Sequence, residues 1–481
     1  MLVILGFSMI TAFMYLIMTK RITPVAALVL VPTIFGLFAG AAWGLSDMVM
    51  EALLKLAPTA ALLFFAITFF GIMIDVGLFD PLIRLILRFV KNDPMRLVVG
   101  TALLTSIVSL DGDGSTTFII VTSAFLPIYL KLRMSPVVLT VVTATANGVL
   151  NTVPWGGSTA RASAALNVSP IDIFVPMIPA IIAGLIAVVV LAYFLGRGER
   201  KRVGQLAYLD GKAEDVAAAT ITVKAEQLAG VATGSNSSPS IVHTDAGSSD
   251  GAGNRDAMSD FAQLPTDAQN HLHRPKARPK LVWLNFTLTA SVMVMLVWGV
   301  VEPPVILMVG VALALVLNFP RVAEQSDQLK AHAASVVSVV ALVFAASMLT
   351  GVLKGTGMVD AMATWIVDII PTSFGPHLAT IAGVLSLPLT FFMSNDAFFF
   401  GVLPVLTKAA SHYGITAEEM ARAGIIGQPL HTSSPLVASF LLLVGLAKVE
   451  LGDHMRKAIW RACVVGLVML AVGALTTAFP I

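Results

Sequence analysis

The segment SLDGDGSTT, residues 109–117, decides the fold of this chain, because it places two carboxylates between two long apolar runs. The run before it is LVVGTALLTSIV and the run after it is FIIVTSAFLPIYL. Both runs are typical of membrane-embedded helix, where a charge is costly, so Asp111 and Asp113 are expected to be functional. Gly112 and Gly114 favour a helix break, which membrane proteins tolerate inside protein or beside a water-filled cavity. We therefore predict the tip of a re-entrant hairpin here; an ordinary loop between two short helices is the alternative.

The composition indicates a polytopic membrane protein. The 481 residues are 57% hydrophobic and 12% charged, with a mean hydropathy of +0.88, whereas soluble domains carry about 25% charged residues. The net charge of +2 does not suggest a nucleic-acid partner. The single cysteine, Cys463, excludes a disulfide framework and a cysteine metal site. The apolar first 18 residues are expected to form a spanning helix and not a cleaved signal peptide.

The second half of the chain repeats the first. A shift of 280 residues superposes ALLFFA at 61–66 on ALVFAA at 341–346, and FFMSNDAFFF at 391–400 takes the place of the first tip. The segments NTVPWGGSTARAS at 151–163 and GQPLHTSSP at 427–435 each interrupt an apolar run with proline and glycine. We predict an all-α polytopic membrane protein made of two inverted repeats. Each repeat is expected to hold about five transmembrane helices, a re-entrant hairpin and a Pro/Gly-broken helix.

Charge distribution divides the chain and orients it. We predict a first transmembrane repeat at 1–196, a cytoplasmic disordered linker at 197–280 and a second transmembrane repeat at 281–481. The linker is rich in small and polar residues, and the basic segments RGERKR and KARPK lie at its two ends. If neither hairpin crosses the membrane, five spans per half place both termini outside. The first hairpin then enters from the cytoplasm and the second from outside, and the protein is expected in the cell inner (plasma) membrane as a multi-pass protein.

The two tips and the two broken helices are expected to meet near the middle of the membrane and form a binding site. Helix N-termini attract anions, whereas free carbonyls and carboxylates attract cations. The dense hydroxyls and amides suit a hydrophilic, multidentate, anionic solute accompanied by cations; close helix packing is the alternative role for the hydroxyls. The candidate substrate-binding residues are Ser115, Thr116, Thr117, Asn151, Thr152, Gly156, Gly157, Ser158, Thr159, Arg161, Ser394, Asn395, Gln428, Thr432, Ser433 and Ser434.

Four residues are candidates for proton or cation coupling: Asp111, Asp113, Asp396 and His431. A carboxylate at a hairpin tip can bind a cation or exchange a proton, and histidine is the usual proton carrier near neutral pH. His431 could equally be a structural hydrogen-bond donor. Arg161 could pair with a substrate carboxylate or with an aspartate, or extend to the membrane interface.

The same motifs resemble those of a known family. SLDGDGSTTF, NTVPWGGSTARAS, MSNDAFFFGVLPVL and GQPLHTSSPLVASFLLLVG are together similar to the citrate–metal:proton symporters of the ion transporter superfamily, and the resemblance covers nearly the whole chain outside the linker. The acidic tips are unlike the Ser-Asn-Thr tips of the sodium-coupled dicarboxylate branch. Only SNDA at 394–397 approaches that pattern, with Asp396 in place of the threonine.

The resemblance implies proton-driven uptake of citrate complexed with Mg²⁺ or Ca²⁺. Asp113 and Asp396 are then candidates for contact with the carried metal, and no permanently bound cofactor is expected. The expected partners are metal-citrate or another small organic anion, protons, the lipid bilayer and a second copy of the chain in a homodimer. Free citrate carries three negative charges, which are costly to bury beside carboxylates; a divalent metal leaves one.

Other functional classes remain to be weighed against this one. The runner-up is a proton- or sodium-coupled carrier of another organic anion, such as a dicarboxylate. No G-x-x-x-x-G-K-[ST] loop occurs in the sequence, which disfavours an ATP-driven pump. An intramembrane enzyme could use Asp111 and Asp113 as catalytic carboxylates, but catalysis does not need two inverted halves, so we expect no enzyme. Concentrative uptake abolished by a protonophore would exclude a channel.

Overall fold

The computed structural model describes residues 1–19, 21–81, 85–86, 93–112, 114–231, 277–298, 301–369 and 371–480. Within these residues every regular element is helical and no strand occurs, which confirms the all-α class. Seven of the described helices are long and apolar enough to cross a membrane, and further apolar helices are 10–17 residues long.

The first half contains eight described helices, whose limits follow the apolar runs of the sequence. They are α1 (Leu2–Met18), α2 (Pro24–Phe38), α3 (Leu45–Asp75), α4 (Pro94–Val108), α5 (Gly114–Lys131), α6 (Pro136–Leu150), α7 (Gly157–Leu166) and α8 (Pro170–Val231). Between α4 and α5 a single 3-10 turn, Ser109–Asp111, lies at the position predicted for the first tip, and the re-entrant course of this hairpin stays a prediction. The predicted interfacial stretch at 80–96 lies largely outside the described residues.

The second half contains eleven described helices, several of them short. They are α9 (Val282–Trp298), α10 (Pro303–Asn318), α11 (Val322–Ala331), α12 (Ala333–Gly355), α13 (Met358–Ile369), α14 (Leu378–Phe392), α15 (Leu403–Ser411), α16 (Ala417–Gly424), α17 (Gln428–His431), α18 (Ala438–Leu446) and α19 (Leu451–Leu475). A π-helix, Ala397–Val402, leads from the second tip into α15.

The order of elements in the first half recurs in the second. α1 and α9 open the halves, α4–tip–α5 corresponds to α14–tip–π-helix–α15, and α6–break–α7 corresponds to α16–α17–break–α18. The duplication is therefore visible in the helix limits as well as in the sequence. The opposite orientation of the two halves stays a prediction.

Prolines set many of the helix starts. Pro24, Pro94, Pro136 and Pro303 occupy the first turn of α2, α4, α6 and α10. Proline fits there because its fixed φ suits the helix and its missing N–H would have no helical partner. The preceding Asp93 caps α4, accepting a hydrogen bond from the Met95 amide at 3.0 Å. The local sequence thus defines where these four apolar helices begin.

Equivalent helices of the two halves pack directly on each other. α3 runs against α12, and α12 also packs on α2. Gly351 of α12 permits the close approach, because a Cβ there would lie 2.7 Å from the Met48 carbonyl oxygen of α3. Small residues at such crossings let helix backbones approach where the membrane supplies little hydrophobic driving force. The two halves therefore form one interlocked bundle around the tips.

Helix α8 continues into the segment assigned to the linker. It ends at Val231, well beyond residue 197, and residues 232–276 lie outside the described residues. The buried Glu199 accepts a hydrogen bond from the Ser135 amide at 2.9 Å and pairs with Arg202 at 2.6 Å. Arg200 pairs with Asp93 at 2.5 Å. The start of the predicted linker is thus helical and attached to the ends of the first hairpin, and the domain division itself stays a prediction.

Candidate functional site

The first tip is a turn held by the first broken helix. Gly112 adopts the left-handed conformation, with φ of 78°, which glycine reaches without steric cost. Trp155 donates from Nε1 to the Leu110 carbonyl oxygen at 2.7 Å and stacks on Phe70 with ring centroids 4.2 Å apart. The side chain of Asp111 and all of Asp113 lie outside the described residues, so both roles stay predictions.

A polar chain links α6 to the beginning of α5. The Asn147 amide donates to Ser109 Oγ at 3.0 Å, and Ser109 donates to Thr117 Oγ1 at 3.4 Å. Thr117 is fully buried, and Ser115 and Thr116 are half-buried in the same first turn of α5. Three predicted substrate-binding hydroxyls therefore cluster at the first tip.

Side chains of the first break, 151–163, hydrogen-bond to the backbone of the same segment. Asn151 Oδ1 accepts from the Gly157 amide at 3.0 Å, at the N-terminus of α7. Ser158 donates to the Asn151 carbonyl oxygen at 2.6 Å, and Thr159 donates to the Thr152 carbonyl oxygen at 2.9 Å. These bonds satisfy backbone groups that the helix break leaves without helical partners.

Three amide side chains from both halves meet at this break: Asn151, which is half-buried, and the buried Asn395 and Gln428. Asn151 Nδ2 and Asn395 Nδ2 both donate to Gln428 Oε1, at 2.9 and 3.1 Å, and Gln428 Nε2 donates to Asn395 Oδ1 at 3.0 Å. Each NH₂ group keeps a second proton that these bonds do not use. We call Asn151, Asn395 and Gln428 the amide network.

An ion pair between the two halves lies beside the amide network. Arg161 of α7 donates from Nε to Asp396 Oδ1 at 2.6 Å, and from Nη1 to the Gly157 carbonyl oxygen at 2.8 Å. The side chains are 25% and 10% exposed, respectively. The sequence left three roles for Arg161: pairing with a substrate carboxylate, pairing with an aspartate or extending to the membrane interface. In the structure it pairs with an aspartate. Ser394, next to the network, accepts from the Ala397 amide at 3.2 Å.

The predicted second break at 427–435 contains a short helical turn. The α-helix before it ends at Gly424, a 3-10 turn covers Ile425–Gly427, Gln428 through His431 form the helical turn α17, and the chain leaves the helix at Thr432. Pro429 sits in the first turn of α17, where proline is compatible with a helix. The unwound part instead contains Pro435, which disfavours helical geometry at the preceding Ser434.

The buried hydroxyls of the second break are bonded to neighbouring helices. Thr432 donates to the Ala144 carbonyl oxygen at 2.8 Å, and Ser434 donates to the Phe391 carbonyl oxygen at 2.7 Å. Like Ser158 and Thr159, these hydroxyls can only accept a further bond while they hold the carbonyls. In this conformation these hydroxyls hold helices together, which is the close-packing role considered as the alternative to substrate binding.

Two buried histidines flank the second break. His431 donates from Nδ1 to the Thr390 carbonyl oxygen at 2.6 Å. Since a carbonyl only accepts, this bond places a proton on Nδ1. His454 of α19 is fully buried between Thr140 Oγ1, 3.0 Å from Nδ1, and Ser433 Oγ, 3.3 Å from Nε2. His454 was not among the candidates from the sequence, because its charged neighbours Asp453 and Arg456 are not typical of a buried segment.

The C-terminal end of α6 connects the two tips. Asn147 and Asn151 lie one helical turn apart; Asn147 contacts the first tip and Asn151 contacts Gln428, which holds Asn395 of the second. Among the described residues, no group of three or more His, Cys, Asp or Glu side chains is placed to hold a metal ion. The arrangement instead offers amide donors and a guanidinium, the groups that bind carboxylates.

The geometry of the first break predicts a strict requirement for glycine at position 156. A Cβ there would lie 2.2 Å from the Asn151 carbonyl oxygen, so Gly156→Ala must displace the break. We expect a loss of about 1–3 kcal/mol in stability and reduced transport. Thermal unfolding of the purified protein measures the stability. Gly445→Ala is the matched control, because a Cβ there meets nothing within 4 Å; equal unfolding temperatures would contradict the prediction.

Comparison with known proteins assigns the chain to a family. Residues 13–427 match the family model described as "Citrate transporter". A citrate transporter of Bacillus subtilis (strain 168) is 44% identical over 95% of this chain and 94% of that protein. The Mg(2+)/citrate complex secondary transporter of the same organism is 41% identical over the full length of both.

Among solved structures, that of the Alcanivorax borkumensis YdaH transporter matches with a TM-score of 0.46 and 13% identity, over 89% of this chain and 86% of that one. The family match and the apolar helices identify an integral membrane protein that is a transporter and not an enzyme. With a family model that matches most of its length, this chain belongs to the citrate transporter family.

Proposed function

We propose that the protein is a secondary active transporter that carries citrate complexed with Mg²⁺ or Ca²⁺ into the cell by proton-coupled symport. The observation that carries this proposal is the junction of the amide network with the Arg161–Asp396 pair. The first half contributes to that junction from its helix break and α7, and the second half contributes from its tip and α17. The relative named as an Mg(2+)/citrate complex transporter supports the choice of substrate. The protein is further proposed to lie in the inner (plasma) membrane, with the segment after α8 in the cytoplasm, and to form a homodimer.

The substrate site is proposed to be the amide network, Arg161 and the tip hydroxyls. The unused amide protons of Asn151, Asn395 and Gln428 can donate to citrate oxygens. Arg161 can donate to a carboxylate from its second terminal nitrogen, since Nε and Nη1 are already engaged. Ser115, Thr116 and Thr117 at the first tip complete the set. Such convergent donors suit a multidentate anion.

Proton coupling is proposed to act through competition for Arg161. Asp396 in its charged form holds the guanidinium at 2.6 Å. Protonation of Asp396 weakens that ion pair and frees Arg161 for a substrate carboxylate. Anion binding and proton binding then favour each other, and by linkage each raises the affinity for the other. This reciprocity is what symport of an anion with a proton requires.

The carried metal is proposed to reduce the charge that the site must accept. Free citrate would bring three negative charges to a site that already contains the carboxylate of Asp396 and, as predicted, those of Asp111 and Asp113. A divalent metal lowers the substrate charge to one, which limits the desolvation and repulsion costs. Asp113 and Asp396 are proposed to lie near the carried metal, and no permanently bound cofactor is proposed.

Metal dependence tests the proposed substrate. Uptake of labelled citrate into cells or proteoliposomes should rise with added Mg²⁺ or Ca²⁺ until the complex saturates the carrier. A strong chelator should reduce uptake by about tenfold or more, because free citrate carries two further charges into the site. A protonophore should abolish accumulation. Equal citrate uptake with and without chelator would indicate a carrier of another organic anion, such as a dicarboxylate.

A further inference from the structure

A second polar region lies apart from the amide network. It is a cavity of about 600 Å³ between the two halves, bordered by α3, α7, α12, α13 and α15. This volume is within the usual range of small-ligand pockets, about 300–1,000 Å³. The charged residues that line it are Glu51, Lys55, Lys354, Asp360 and Lys408.

The cavity lining carries one net positive charge. Glu51 pairs with Lys55, and Asp360 pairs with Lys408 at 2.8 Å. Lys354 is exposed and forms no ion pair within the part of the chain that the structure describes. Lys354 also interacts electrostatically with Glu51, so three lysines face two acids, and the lining keeps one positive charge for a ligand.

The cavity adjoins the helices that carry the ion pair of the site. Its wall includes Ala165 at the end of α7, and Arg161 lies one turn earlier on the same face of that helix. The wall also includes Pro404 and Thr407 of α15, the helix that follows Asp396 through the π-helix. A solute in the cavity would therefore contact α7, which carries Arg161, and α15, which follows Asp396 in the chain.

We propose that this cavity is a capture site for a small, singly charged anion, with Lys354 as its main contact. The identity of that anion as metal-citrate rests on the proposed function; the affinity of the cavity for anions does not. The net charges are complementary, since the lining carries +1 and the metal-citrate complex −1. With the linker predicted in the cytoplasm, counting spans puts the loops at 45–56 and 354–375, which hold Lys55 and Lys354, outside, so capture would precede entry into the amide network during uptake. Clefts of one charge raise the local concentration of an opposite ligand, and salt screens the effect.

Transport kinetics test the role of the cavity in uptake. Lys354→Gln should raise the apparent KM for Mg²⁺-citrate about fivefold, as expected for the loss of a focusing charge, and leave the maximal rate unchanged. The dependence of KM on ionic strength should also weaken. Lys330→Gln is the matched control, because Lys330 is 75% exposed, does not line the cavity and, among the described residues, pairs only with Asp327 on its own helix. Its KM should equal that of the wild type.

Thiol labelling of the purified full-length protein tests the cavity without relying on transport. Ser411→Cys places a thiol at the cavity wall, in a Cys463→Ser background that removes the native cysteine. The quantity measured is the reaction rate of an anionic thiosulfonate divided by that of a cationic one. This ratio should be higher for the thiol at position 411 than for free cysteine. Adding Lys354→Gln should lower that ratio severalfold, and Lys330→Gln should not.

The two experiments separate the two proposals. A wild type that carries no metal-citrate but shows the charge-selective labelling refutes the proposed substrate and supports the anion site. An unchanged labelling ratio in Lys354→Gln overturns the capture site, whatever the wild type transports. An altered ratio with unchanged KM overturns its part in uptake.

Discussion

Arg161→Gln is expected to abolish citrate uptake and to lower the stability of the folded protein by about 3 kcal/mol. The substitution leaves Asp396, whose side chain is 10% exposed, without its cationic partner. Removing one member of a buried ion pair costs about 3–5 kcal/mol, because the other charge stays uncompensated; the partial exposure of Arg161 favours the lower value. Transport is lost as well because the guanidinium is the proposed carboxylate donor. Unfolding temperature and uptake at matched expression measure the two effects.

The double variant Arg161→Gln, Asp396→Asn separates stability from transport. It removes both charges, so most of the lost stability should return while uptake stays absent. Arg321→Gln is the control for the loss of an arginine, since Arg321 is 81% exposed and pairs with Glu324 at the surface; such pairs contribute about 0–1 kcal/mol. Normal uptake by Arg161→Gln would remove Arg161 from the substrate site.

The sequence was sufficient to predict the features that depend on local chemistry. Proline at helix starts, glycine at position 112 and the apolar run lengths determine where helices begin and end, and the structure has the first tip at the expected residues. The duplication was visible because both halves keep the same order of tip and break. The helical turn inside the predicted second break was not foreseen, because a proline in a first turn, such as Pro429, is compatible with a helix.

Features that depend on tertiary contacts could not be predicted. Nothing local distinguishes Asp396 from Asp113 as a partner for Arg161, which lies 235 residues away from Asp396 in the chain. The use of Ser158 and Thr432 as donors to backbone carbonyls depends on which helices they meet. His454 is buried by α6 and the second break, although its sequence neighbours are charged. Sequence chemistry thus predicts the candidate residues, and the packing of the halves selects their partners.

Asp396→Asn is expected to uncouple transport from the pH gradient. Asparagine keeps the shape of the side chain and removes both its charge and its titration, so Arg161 is no longer released by protonation. Uptake driven by a pH gradient should fall by about 100-fold or more, which corresponds to about 2.8 kcal/mol at about 1.4 kcal/mol per tenfold change, because the proton gradient no longer drives the release of Arg161. Exchange of citrate at equal pH on both sides measures binding and translocation without net proton movement.

The exchange assay decides between the two proposed roles of the aspartates. If Asp396 couples protons, Asp396→Asn should keep exchange and lose gradient-driven uptake. If it contacts the carried metal, the variant should lose apparent affinity for the metal complex, lose exchange and keep its pH response. Asp113→Asn at the first tip gives the same test for the other half. Wild-type uptake and exchange in both variants would exclude these aspartates from coupling. Asp111 and His431, whose proton on Nδ1 is fixed by the Thr390 carbonyl, would then be the remaining candidates for coupling.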